Sequence, residues 1–265
     1  MAKRYYVGID SVARKIKKCY IGVNGVARKV VKGYVGVEGI AREFIETVEI
    51  GRYWLIDSSG TKEYMSNGTL VASSSNRTSW ACPADGTYSI ELHGQGGTGG
   101  TSVWMAESGY EDMRWVEYYA AATGGGGGGS GLITSAVLSG GITYTCSIGS
   151  TTEFNNLSCG PGKNGGNGSA SVSLYNPPRA IPGTGGSATG GRASAGKNGT
   201  SYAYENDSAG GIPGSAGGSG GSTIGSYGNG GDSGTVPHPG GVNSGSSSFQ
   251  GHSGNPGAII IRKTS

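Results

Sequence analysis

Hydrophobic and polar positions open the chain in a pattern that occurs three times, starting at Tyr6, Tyr20 and Tyr34. The copies are Tyr6-Val-Gly-Ile-Asp-Ser-Val-Ala-Arg-Lys-Ile-Lys-Lys18, Tyr20-Ile-Gly-Val-Asn-Gly-Val-Ala-Arg-Lys-Val-Val-Lys32 and Tyr34-Val-Gly-Val-Glu-Gly-Ile-Ala-Arg-Glu-Phe-Ile-Glu46. Each is an apolar run, two turn residues and a second apolar run, which predicts a β-hairpin. Asn24-Gly25 is the strongest turn signal, because a type I′ turn needs φ > 0 at both central residues. Glu38-Gly39 and Asp10-Ser11 are weaker. The expected middle pairing sets Val23 against Val26, Gly22 against Ala27 and Ile21 against Arg28.

An isolated two-stranded hairpin is marginal in water. Three in tandem need one another, another chain or a larger particle to bury against. Residues 1–47 therefore read as an attachment or oligomerisation module. Nine Lys and Arg stand in residues 1–33 against the single acid Asp10. Lys on edge strands blocks stray pairing. The third copy replaces basic residues by Glu43 and Glu46, which a phosphate-tracking surface would not do, so no nucleic-acid partner is expected.

Residues 48–83 read as a connector with short strands at 52–56 and 70–72. Thr87-Tyr-Ser-Ile-Glu-Leu92 alternates as a half-buried strand does. Strands are also expected at 133–138 and 142–148, and Ala258-Ile-Ile-Ile-Arg262 has a buried-strand pattern. Residues 84–265 form the head.

Composition changes the picture between these strands. Of 56 glycines, ten lie in residues 1–93, so 46 lie beyond, concentrated in runs at 124–131, 160–168, 183–192, 210–221, 225–234 and 239–257. No strict Gly-X-Y period is present, which excludes collagen. An ordered glycine costs roughly 0.5–1 kcal/mol relative to alanine, so only a cooperative hydrogen-bond lattice offsets so many. Polyproline-II helices have three residues per turn and no internal hydrogen bonds, so their amides must bond neighbouring chains. The expected fold is all-β: tandem hairpins, then a glycine-rich β-sandwich with a polyproline-II (polyglycine-II) bundle. Flexible linker is the competing reading. The low charge of the region and the good strands at both of its ends oppose it.

Catalytic and metal chemistry find little support. Cys19, Cys82, Cys146 and Cys159 have no CxxC spacing and read as free buried thiols, with the pairing of Cys146 and Cys159 left open. His93, His238 and His252 have no metal-ligand spacing. Gly94-x-Gly96-x-x-Gly99 lacks the helix that a dinucleotide site needs, and Asn198 stands where a P-loop has Ser or Thr. Glu107, Glu111, Asp112 and Glu117 read as one solvated acidic face. No apolar run is long enough to span a membrane, and Met1-Ala-Lys-Arg-Tyr-Tyr-Val-Gly8 has no signal core. A non-enzymatic protein is expected, without cofactor, metal or membrane insertion, and made in a cytoplasm.

The candidate recognition residues are aromatic. Residues 102–119 are the largest stretch poor in glycine and carry Trp104, Tyr110, Trp115, Tyr118 and Tyr119. Tyr202, Tyr204 and Tyr227 sit between glycine runs. Aromatic rings on exposed loops give contact area at low entropic cost and stack on sugars. For Trp104 and Trp115 an alternative stands equally: the rings cap the lattice edge and meet no ligand.

The order Gly86-Thr-Tyr-Ser-Ile-Glu-Leu92, glycine run, Leu138-Ser-Gly-Gly-Ile-Thr-Tyr-Thr-Cys-Ser-Ile-Gly149, glycine runs and Gly254-Asn-Pro-Gly-Ala-Ile-Ile-Ile-Arg262 resembles the glycine-rich domains that end many phage tail-fibre proteins, in the style of T-even-type tip adhesins. The Tyr-Val-Gly-Val-x-Gly-Val-Ala-Arg repeat resembles segments of phage structural proteins. The resemblance implies a virion protein of the phage tail, a homotrimer attached to other tail or baseplate proteins through residues 1–47. Its loops would bind a host-surface glycan or protein. Two rival classes are a baseplate connector without receptor contact and a surface-polysaccharide depolymerase, the latter opposed by the missing acid/base pair.

Overall fold

The computed structural model describes residues 48–111, 114–173, 176–188, 192–205, 212–237 and 245–265, and the backbone of six short strands before them. The expected turns Asp10-Ser11, Asn24-Gly25 and Glu38-Gly39, Cys19, and parts of the glycine runs at 189–191, 210–211 and 239–244 lie outside the described residues. All regular structure among the described residues is β, and every named strand pairing is antiparallel.

The first strands are β1 (Tyr6–Ile9), β2 (Val12–Lys15), β3 (Tyr20–Val23), β4 (Val26–Lys29), β5 (Lys32–Val37) and β6 (Ile40–Glu46). They pair in sequence as three two-stranded sheets, with Val23 opposite Val26 and Gly22 opposite Ala27 in the second. Next come β7 (Tyr53–Asp57), β8 (Gly60–Tyr64), β9 (Leu70–Ser74), β10 (Ser79–Ala81) and β11 (Gly86–His93). Two long strands follow, β12 (Ser102–Glu111) and β13 (Arg114–Ala122). After them stand β14 (Leu132–Leu138), β15 (Thr143–Ser147), β16 (Thr152–Phe154) and β17 (Leu157–Cys159). The remainder are β18 (Ser169–Ser173), β19 (Asn176–Ile181), β20 (Ser201–Glu205), β21 (Gly245–Phe249) and β22 (Ala258–Lys263).

A six-stranded sheet in the order β14-β11-β22-β7-β8-β9 faces a four-stranded sheet in the order β10-β15-β16-β17. Alternation sends Trp54 and Ile56, Tyr88, Ile90 and Leu92, and Ile259 and Ile261 inward, where they meet Trp80, Cys82, Cys146 and Phe154. Trp80 packs edge-on against Trp54 and Tyr88, with centroids 5.3 and 5.6 Å away. Such pairs add about 0.5–1.5 kcal/mol beyond area burial. Residues 48–83 are thus built into this core rather than running past it: β7 pairs with β22, and Trp54 and Trp80 lie at its centre. Cys82, Cys146 and Cys159 are free and buried, and burial pushes the Cys146 thiol up to about 12.

The three consecutive isoleucines of β22 are buried because the strand is covered on both faces. Ile260, with Ala258 and Leu55, faces a second cluster under Ile224 and Tyr227 of the turn at 222–228.

The glycine-rich segments run away from this sandwich. Residues 124–129 lie at the centre. Gly125, Gly126 and Gly127 donate in turn to Gly166, Lys197 and Gly231, and Gly128 returns to Lys163 on the same segment as Gly166. Their carbonyls accept in turn from Gly100, Gly186 and Gly218, and that of Gly128 accepts from Gly97 on the same segment as Gly100. Six segments therefore surround the central one, and the bonding repeats every three residues. The surrounding segments also bond in a closed ring: Gly162 to Gln95, Lys163 to Ser187, Gly196 to Gly186, Ser194 to Ser219, Gly230 to Gly218 and Gly231 to Gly97. Residues 250–257 lie outside the ring, between 94–100 and 229–233: Gly96 and Gly99 donate to Asn255 and His252, whose amides donate to Asn229 and Asp232. This packing requires bare faces. A Cβ on Gly125 would land on the Thr184 carbonyl, and one on Gly126 on that of Ala216. Each bond contributes about 0.5–1.5 kcal/mol net, comparable with what each ordered glycine costs.

Candidate recognition site

Chain direction defines two ends. Residues 94–100 leave β11 in the sandwich and enter β12, and 123–131 return from β13 to β14. Residues 160–168 lead from β17 to β18. The far end carries β12, β13 and β18–β21.

There a four-stranded sheet has the order β20-β13-β12-β21. Its anchor is polar: the Ser102 hydroxyl donates to the Gly234 carbonyl at 2.6 Å and accepts from Gly124 N–H at 2.9 Å. The β18–β19 pair lies against β12, β13 and β20. One face of the sheet holds a small core of Trp104, Ala106 and Ala121 packed with Ile212, Val236 and Phe249.

The β12–β13 hairpin outreaches its neighbours. Its register runs from Val103↔Ala122 to Glu111↔Arg114. β21 flanks only Ser102–Ala106 and β20 only Tyr118–Ala122. Residues 107–111 and 114–117 therefore pair only with each other, an overhang of roughly 17 Å at about 3.4 Å per residue. Tyr110 and Trp115 stand opposite each other near its end.

The predicted site residues separate into three groups. Trp104, expected at a recognition surface, is only 9% exposed and is a core residue of the far sheet, because strand alternation turns it toward Ile212 and Val236. Tyr118 is likewise buried, at 7%. Tyr227 is at the opposite end, in the turn over the sandwich, where its hydroxyl donates to Asp57 Oδ2 at 2.9 Å. Burial, with the Asp57 carboxylate beside it, pushes that phenol up to about 12. Tyr110, Trp115, Tyr119, Tyr202 and Tyr204 lie on β12, β13 and β20, with Tyr119 opposite Tyr204 and Ala121 opposite Tyr202. Their side chains lie outside the described residues. Tyr202 and Tyr204, expected in a loop, are in a strand because β13 offers a free edge.

Two buried carboxylates that the sequence did not single out hold the turn at 222–228. Glu91 Oε1 accepts from Thr223 N–H at 2.9 Å, its Oε2 from the Thr223 hydroxyl at 2.6 Å, and His93 Nε2 lies 2.6 Å from Oε1. Burial alone would raise the Glu91 carboxyl, but the hydrogen bonds from His93 and Thr223 outweigh it and hold it below the usual carboxylate range. Asp57 is likewise raised by burial and lowered overall by Ser59, Tyr227 and Lys62. Both acids are fastening groups.

No family model matches the chain, and no curated protein or solved structure does either.

Proposed function

We propose that the protein is a phage tail-fibre or tail-tip adhesin that binds a bacterial surface with the end of the molecule remote from the sandwich. The observation that carries this reading is the overhang of β12 and β13 beyond both flanking strands, with Tyr110 and Trp115 paired near its tip. A hairpin of this length without covering strands does little for the fold and presents contact area. The three-residue repeat of the hydrogen bonds and the six-neighbour packing support a polyglycine-II bundle as the shaft behind it. A shaft cross-linked in three directions keeps the tip rigid, which lowers the entropy lost on binding.

In this reading the β1–β6 pairs are hairpin repeats that attach the protein to other tail or baseplate proteins. The ligand is a host-surface glycan or protein, the assembly is a homotrimer on the virion, and avidity multiplies weak contacts. The protein binds without catalysis. Labelling intact host cells with purified protein tests the reading. Binding that is lost when Tyr110 and Trp115 are replaced by alanine, with the fold intact, supports it. A folded protein that labels no host cell rejects it and favours a connector role.

A further inference from the structure

Exposed large apolar side chains are not scattered over this molecule. Leu70 and Val71 (53% and 48% exposed) stand on β9, and Ile133 and Val137 (37% and 83%) on β14. These two strands are the opposite edges of the six-stranded sheet. Neither Leu70-Val-Ala-Ser-Ser74 nor Leu132-Ile-Thr-Ser-Ala-Val-Leu138 contains a charge or a proline.

An open sheet edge templates pairing with another chain, and proteins that avoid this place Lys, Pro or inward-pointing charges on the edge. Elsewhere this chain blocks its free edges. Asn164, Asn167, Asn198, Asn229 and Asp232 cap outward amides of the glycine segments with their side-chain oxygens. The two sandwich edges carry no such device, and all five residues of β9 are exposed.

We propose that β9 of one copy pairs with β14 of the next, so that the six-stranded sheets of successive copies join edge to edge. The occupant of each edge is a second copy of this chain, because the two edges complement each other: both are uncharged, both are apolar on their exposed positions, and they lie on opposite sides of one sheet. Such a contact is head-to-tail, and a head-to-tail contact closes into a ring when the rotation permits. A trimer satisfies this. The inference rests on the sandwich and stands apart from the receptor reading.

Light scattering on the full-length protein across a dilution series gives the mass. The expected species is a closed ring that dissociates on dilution. Val71→Lys and Val137→Lys, both at exposed positions, each yield folded monomers. Mixed in equal amounts they yield dimers, since the first retains an intact β14 edge and the second an intact β9 edge. A monomeric wild-type protein overturns the proposal. Retention of a dimer by Val137→Lys alone also overturns it, because that result means β9 pairs with itself. Failure of the mixture to associate excludes head-to-tail pairing.

Discussion

Asn164 and Thr98 are clipped together by two hydrogen bonds. The Thr98 amide donates to Asn164 Oδ1 at 3.0 Å, and the amide of the next residue, Gly165, donates back to the Thr98 carbonyl at 2.9 Å. Three residues on, Asn167 and Gly168 hold Thr101 in the same way at 2.9 Å each. Across the bundle Asn229 and Asp232, again three apart, accept from Gly220 and Gly217 at 2.7 Å each. In each case the side-chain oxygen stands where a further chain would have offered its carbonyl, and the glycine or serine that follows returns the bond inward. Replacing Asn164 and Asn167 by alanine leaves two amides to water, at a cost of about 1 kcal/mol each. Amide exchange should quicken at Thr98 and Thr101 and stay unchanged at the inner Gly126. Equal protection in the double variant would show the clips to be idle.

The central segment makes the sharpest test of the bundle. Gly125 has no room for a methyl group, because its Cβ would overlap the Thr184 carbonyl. The obstacle is backbone, which cannot swing aside as a side chain does. Gly125→Ala should cost more than about 3 kcal/mol. Gly160→Ala is the control. Its Cβ would meet nothing within 4 Å, so the change should be neutral or stabilise by about 0.4–1 kcal/mol. Urea midpoints at constant slope measure both. A tolerated Gly125→Ala would mean that the segments are not packed as described.

How much of this was legible depended on how local the signal is. Val-, Ile- and aromatic-rich runs marked β7, β11, β14, β15 and β22 because alternation is written within each strand. The burial of Trp104 was not readable, because Ile212 and Val236, which cover it, are more than a hundred positions away. The place of 48–83 in the core was hidden for the same reason: β7 pairs with the last strand of the chain. The clips were readable in principle. Asn164-Gly165, Asn167-Gly168 and Asn229-Gly230 carry a three-residue spacing, but Asn-Gly also signals a hairpin turn, and only the surrounding glycine runs separate the meanings.

Acid should open the turn at 222–228 before the rest of the sandwich. Asp57 and Glu91 are both held below the ordinary carboxylate range in the folded state, so each stabilises the fold fully above its unfolded value of roughly 4. That contribution disappears as pH falls through the lower folded values. His93 faces Glu91, while Lys62 and Tyr227 face Asp57. Protonation removes the acceptors for Thr223 and Tyr227 and frees Ile224 to leave Leu55 and Ile260. Exchange at Thr223 should rise below about pH 4 while Ile90 stays protected. In Glu91→Gln that acid dependence should weaken, because one charge no longer titrates. A turn that opens only with global unfolding would reject the clasp.

Stability and adsorption should separate cleanly between two tryptophans of the same hairpin. Trp104 fills the far-end core against Ala121, Ile212 and Val236, so Trp104→Ala should cost about 3–5 kcal/mol and affect adsorption only through loss of fold. Trp115 pairs with Tyr110 on the overhang, beyond the reach of β20 and β21. Trp115→Ala should shift the unfolding midpoint by no more than about 0.5 kcal/mol, as surface substitutions do, and yet reduce labelling of host cells severalfold. Denaturation midpoints and cell-binding titrations on the same preparations give both numbers. The reverse assignment, with Trp115 needed for the fold and indifferent to binding, would make the hairpin a structural strut and move recognition to another part of the far end.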